Sequence, residues 1–171
     1  MPTYITCDNA TTVFVTVGTT SFDKLIQTVL QSEILVLLEK VGCRKLVLQI
    51  GRGQEPIIPH NCPIEITWFR LKNGIREDID NASLVISHAG AGSCTEVLAA
   101  KKPLIVVVNQ DLMDNHQSEL AEQLHCDGHV LVDLRSTCDN RLRIDSARWN
   151  HYVQNVGGLA FLVNCLIVCL F

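Results

Sequence analysis

Short runs of unbroken apolar residues alternate along this chain with longer stretches in which apolar positions recur every three or four residues. Val13-Phe-Val-Thr-Val17 is β-branched and apolar and stops at Gly18, which predicts a buried strand followed by a tight turn. From Phe22 to Val41 the apolar positions follow helical spacing, with a break predicted near Gln31-Ser-Glu33 and a C-terminal cap at Gly42. Further strands are predicted over Lys45 to Ile50, Ile64 to Phe69, Leu84 to Ser87, Leu104 to Val108 and Val130 to Val132. Helices are predicted over Ile75 to Asn81, over Cys94 to Lys101 ahead of Pro103, and over His116 to Leu124 with a cap near Gly128. Buried strands alternating with helices specify an α/β fold, a doubly wound and mostly parallel Rossmann-like sheet covered on both faces.

Beyond Arg135 the periodicity stops. The expected organisation is a leader over residues 1–11, one α/β domain over 12–135, and a C-terminal segment over 136–171 ending in an apolar tail. That tail, Leu159 to Phe171, is 13 residues long, short of the roughly 20 that a spanning helix needs. The N-terminus lacks the basic and apolar run of a signal peptide.

Composition narrows the function. The chain has 171 residues, 47% of them hydrophobic and 19% charged, with a net charge of −4. That balance excludes disorder and offers nucleic acid no basic footprint. The eight cysteines are scattered, without a C-x-x-C pair, which fits free thiols in a reducing compartment.

The chemistry collects where strands end. Gly18-Thr-Thr-Ser21, Gly51-Arg-Gly53, His88 to Ser93 and Asn109 to Gln117 each follow a strand, and in open α/β sheets ligands bind outside the carboxyl ends of the strands. The first loop offers hydroxyls and amides at a helix N-terminus, which suits a phosphate; it also reads as a plain turn with Ser21 as N-cap. The second loop places Gly90 and Gly92 before Ser93 and Glu96, which either face a ligand or form a Ser-x-x-Glu capping box. A redox dinucleotide is disfavoured: the third glycine is absent, and Gly51-Arg52 stands where an acid for the ribose would be expected. Asp114 and Gln117 form a second potential capping box, and Asn115, His116 and Gln117 equally suit sugar hydroxyls. Asp78-Ile-Asp80 resembles a metal-binding D-x-D, yet two residues apart on a helix they diverge. His125, Cys126 and His129 lack a fourth ligand and fit a helix end better than a metal.

Taken together, Val13 to Phe22, Leu48 to Gly53, Leu84 to Glu96, Lys102 to Asn109 and Leu112 to Gln117 resemble the catalytic, donor-binding subunit of the eukaryotic UDP-N-acetylglucosamine transferase of asparagine-linked glycosylation, of glycosyltransferase family 28 type. The resemblance covers roughly residues 13 to 133. It implies the C-terminal half of a GT-B transferase, like the bacterial enzyme that makes lipid II. It implies a reaction with UDP-GlcNAc that inverts the anomeric centre. The second GlcNAc would be added in β-1,4 linkage to dolichyl-diphosphate-GlcNAc at the cytosolic face of the endoplasmic reticulum.

It further implies a membrane-anchored partner subunit that holds the lipid-linked acceptor and supplies the catalytic base, with neither cofactor nor metal on this chain. By resemblance, Gly18, Thr19 and Thr20 contact phosphate. His88, Gly92 and Ser93 face the diphosphate, and Glu96 binds the ribose; the loop's own residues add Gly90, which with Gly92 lets phosphates sit against the backbone. Asn115 and Gln117 read the sugar, and the backbone at Arg70 approaches uracil. Residues 136–171 depart from the family's usual ending, which docks on the partner. Two alternatives therefore stay open: a non-catalytic UDP-sugar-binding module or inactive variant without docking, and a single-chain hydrolase or epimerase with His88 and Glu96 as its acid and base.

Overall fold

The computed structural model describes residues 11–108 and two further strands, at Val132–Leu134 and Arg143–Ile144. The helix expected over 116–124, Asn115 and Gln117, the His125 cluster and the apolar tail lie outside the described residues.

Among the described residues, seven strands form one sheet: β1 (Thr11–Thr16), β2 (Cys43–Gln49), β3 (Glu65–Phe69), β4 (Leu84–His88), β5 (Leu104–Val107), β6 (Val132–Leu134) and β7 (Arg143–Ile144). Their spatial order is β3-β2-β1-β4-β5-β6-β7. Every pairing is parallel except β6 with β7. The sheet is doubly wound, as the alternation predicts. The last strand expected from the sequence, Val130 to Val132, overlaps β6 at Val132, and β7 lies in a stretch with no legible period.

Helices α1 (Asp23–Val29) and α2 (Ser32–Lys40) split at the expected break. Gly42 follows with φ +91°, a left-handed stop that a side chain would resist. These helices bury Leu25, Ile26, Ile34, Leu35 and Leu38 against Val15, Leu46, Leu48 and Ile86 on one face of the sheet. Helices α3 (Arg76–Asn81) and α4 (Ala91–Ala99) cover Phe14, Val85, Leu104 and Val106 on the other. Apolar burial on both faces is the main favourable term holding such a sheet.

The chain runs from β1 outward to β2 and β3, then crosses back to β4 and onward to β5. The direction of winding therefore reverses between β1 and β4. At that reversal the loops beyond the two carboxyl ends lead to opposite faces and leave a crevice between them.

Candidate functional site

Two of the strand-end loops face each other across this crevice, and a third braces the first of them. Gly18, after β1, has φ +61°. A Cβ built there would stand 2.8 Å from His88 Cε1, 3.3 Å from His88 Nε2 and 3.5 Å from Ser93 Oγ. Gly90, after β4, would place a Cβ 2.3 Å from His88 Nε2 and 2.4 Å from Cε1. The His88 ring is thus clasped between two glycines, and neither has room for a methyl group. Gly18 also needs its left-handed backbone, whereas Gly90 (φ −91°, ψ 125°) sits in a region open to any residue. Only the contact with His88 demands glycine at 90.

His88 is buried, with 5% of its surface exposed. Its Nδ1 has no hydrogen-bond partner among the described residues. Burial holds the imidazole below its ordinary pKa, with a smaller opposing effect from the Thr16 backbone. Its main-chain carbonyl is heavily used: it accepts the Gly90 N–H at 2.7 Å, the Ser87 hydroxyl at 2.8 Å and the Cys94 thiol at 3.7 Å.

The first loop is turned mostly inward. The Gly18 N–H donates to Thr16 Oγ1 at 3.0 Å, and the Thr20 hydroxyl donates to the Val17 carbonyl at 2.9 Å. Thr19 alone of the three predicted phosphate residues is exposed. The loop after β2 locks against it: Arg52 N–H donates to the Thr20 carbonyl at 2.8 Å, and a Cβ on Gly51 (φ +54°) would come within 2.1 Å of that oxygen. Ser21 does not serve as the N-cap of α1; that position is Phe22, with no side-chain cap.

The second loop resolves the capping ambiguity. Helix α4 begins at Ala91, with Gly90 as its N-cap and no side-chain cap bond. It starts three residues earlier than the apolar pattern suggests, because the small residues Ala91 and Gly92 are themselves helical. Ser93 and Glu96 therefore occupy the third and sixth helical positions, and the Ser-x-x-Glu box does not form. Glu96 is exposed, and Ser93 points toward Gly18. A Cβ on Gly92 would meet nothing within 4 Å, so packing gives no reason for glycine there. Free amides at the start of α4 attract anions.

Arg70 takes a structural role through its side chain. Its guanidinium donates to the Gly53 carbonyl at 2.7 Å and to Glu55 at 3.3 Å, and its own carbonyl accepts from Gly51. Only its backbone region remains for a ligand. Asp78 pairs with Lys72 at 2.8 Å, and Asp80 pairs with Arg76 at 2.9 Å, so each acid of the D-x-D is held by its own cation. The described cysteines, Cys43, Cys62 and Cys94, are free; burial pushes the thiols of Cys43 and Cys94 up to about 11. No helix among the described residues is long and apolar enough to cross a membrane.

Comparison with known proteins matches the glycosyltransferase family 28 C-terminal domain over residues 12–138. The UDP-N-acetylglucosamine transferase subunit ALG13 of Homo sapiens is 53% identical over 121 residues, covering 69% of this chain and 10% of the human protein. The chain thus spans about a tenth of the length of its human and mouse relatives. A solution structure of ALG13 superposes with a TM-score of 0.55 at 28% identity, covering 85% of this chain and 94% of that one. The crystal structure of MurG from Acinetobacter baumannii superposes at 0.56 and 17% identity, over 95% of this chain and 45% of that one, a likeness of fold alone.

Proposed function

This chain belongs to glycosyltransferase family 28, with the Rossmann-like fold of the C-terminal half of a GT-B transferase, and from that membership we propose that it binds UDP-GlcNAc as one subunit of an inverting N-acetylglucosaminyltransferase. With a membrane-anchored, acceptor-binding subunit it adds the second GlcNAc, in β-1,4 linkage, to dolichyl-diphosphate-GlcNAc. The work is done from the cytosol, on the cytoplasmic face of the endoplasmic reticulum. The relatives' description as a transferase subunit supports both the activity and the need for a partner.

One observation carries the donor reading: a buried His88 with an unpartnered nitrogen lies between two glycine loops, beside a helix N-terminus, at the switch point of the sheet. An anion in that crevice would meet α4 amides, Thr19 and Ser93. When UDP leaves, negative charge grows on the diphosphate, and fixed amides aimed at that charge lower the barrier. Such a site stabilises the leaving group without a metal. Glu96, one turn into α4 and free of capping duty, would bind the ribose hydroxyls. Asn115 and Gln117 would contact the sugar, and the backbone after β3 at Arg70 would lie beside uracil. The acceptor hydroxyl still requires a general base. The base belongs to the partner subunit, so the isolated chain binds donor and transfers nothing.

Two measurements test this. Calorimetric titration with UDP-GlcNAc should show Glu96→Ala weakening binding about 10-fold or more, the worth of a charged hydrogen bond. Transfer of GlcNAc to a lipid-linked acceptor should appear only when the partner subunit is added; transfer by the purified chain alone would refute the division of labour.

A further inference from the structure

The sheet row directly beneath the crevice is polar where its neighbours are not. On the face covered by α3 and α4, the row Val47–Phe14–Val85–Leu104 is hydrocarbon, with Thr67 beyond it on the edge strand β3. Two residues further along the strands, the same face carries Gln49–Thr16–Ser87, flanked by Phe69 and Val106. On the opposite face, the row between these two is Leu48–Val15–Ile86–Ile105, again apolar. Gln49, Thr16 and Ser87 are all buried. Polar groups are costly in such a place unless bonded, and an apolar row would join the strands equally well.

The hydrogen bonds give the row a purpose. Thr16 Oγ1 donates to Gln49 Oε1 and accepts the Gly18 N–H. Its single proton is committed to Gln49, which turns a lone pair toward Gly18. The left-handed turn at Gly18 is thereby held from below, while the Gly51 loop holds it from the side. Ser87 performs the matching task for the turn after β4, through the His88 carbonyl.

We propose that Thr16 and Gln49 are positioning residues of the donor site: the Gln49–Thr16–Gly18 chain of hydrogen bonds sets the phosphate-facing loop in its binding geometry, without either side chain touching the donor. The proposal rests on the crevice being the UDP site. Thr16→Val keeps the β-branched shape and removes the hydroxyl, leaving the Gly18 N–H and Gln49 Oε1 without a partner. Thr16→Ser keeps the hydroxyl.

The test titrates UDP into this chain and its variants, with thermal melts alongside. Thr16→Val should raise the Kd for UDP about tenfold, and Thr16→Ser should stay within about twofold of the parent. Val15→Ala, an equally buried change in the apolar row, should lower Tm and leave the Kd within about twofold. If Thr16→Val does not fold, Gln49→Met takes its place, with an expected rise in Kd of about threefold or more. An unmodified chain that does not bind UDP overturns the donor site and the role of this row together. A chain that binds UDP while Thr16→Val, or Gln49→Met in its stead, leaves the Kd unchanged overturns the positioning role alone. So does Val15→Ala weakening UDP as much as the Thr16 variant.

Discussion

Gly90 and Gly92 stand two residues apart, yet a methyl group added to each would meet opposite surroundings. At Gly90 it would collide with the His88 ring at 2.3 Å. Gly90→Ala should therefore cost about 1–3 kcal/mol in chemical denaturation, the range for overpacking. At Gly92 the space is open and the backbone is helical. Gly92→Ala should stabilise the chain by about 0.5–1 kcal/mol through helix propensity, while, if the proposed donor site is right, the added methyl group lowers UDP-GlcNAc affinity. A variant that gains stability and keeps its affinity would remove Gly92 from the site. His88 adds a pH dependence. Its folded pKa lies below the ordinary 6.5, so the unfolded chain takes up a proton that the folded chain refuses. Its contribution is complete above about pH 6.5 and is lost as pH falls below that value. Denaturation at pH 7.5 and 5.5 should show a smaller acid loss for His88→Gln than for the parent; equal losses would contradict a buried, neutral His88.

At the scale of elements, the legible parts of the sequence were those with strong periods. The unbroken apolar runs at β1, β4 and β5 and the split between α1 and α2 follow directly from burial on both faces and from the polar Gln31–Glu33 interruption. The start of α4 was not legible, because Ala91 and Gly92 carry no apolar signal, and that three-residue shift decides whether Ser93 and Glu96 cap a helix or face a ligand. Glu96→Ala should accordingly change stability by no more than about 0.5 kcal/mol, the usual limit for an exposed position. A loss of about 1 kcal/mol or more on denaturation would restore the capping role. Thr16 and Gln49 escaped notice for a different reason. A Thr within a valine-rich strand reads as β-branched filler, and Gln49 as a strand end; only strand register places them in one row. β7 was invisible because a two-residue pairing leaves no period.

For the whole molecule, the order β3-β2-β1-β4-β5 explains why residues 70 positions apart in sequence, Gly18 and His88, share one crevice. The sequence motifs marked the two loops, and the β1–β4 adjacency brings them together. Arg70 shows the limit of carrying a motif across: its side chain is spent on Gly53 and Glu55, which leaves the backbone as the candidate contact. On the proposed function, such a chain binds its donor in the crevice at the carboxyl edge of the sheet and depends on a second subunit for transfer. The most direct measurement is a backbone NMR titration of the chain with UDP-GlcNAc. Saturable amide shifts are expected at Thr19, Thr20 and Gly90 to Glu96, with the ring resonances of His88 moving in step. Saturable shifts confined to other surfaces, or no saturable shifts at all, would contradict the assignment of the β1–β4 crevice as the donor site.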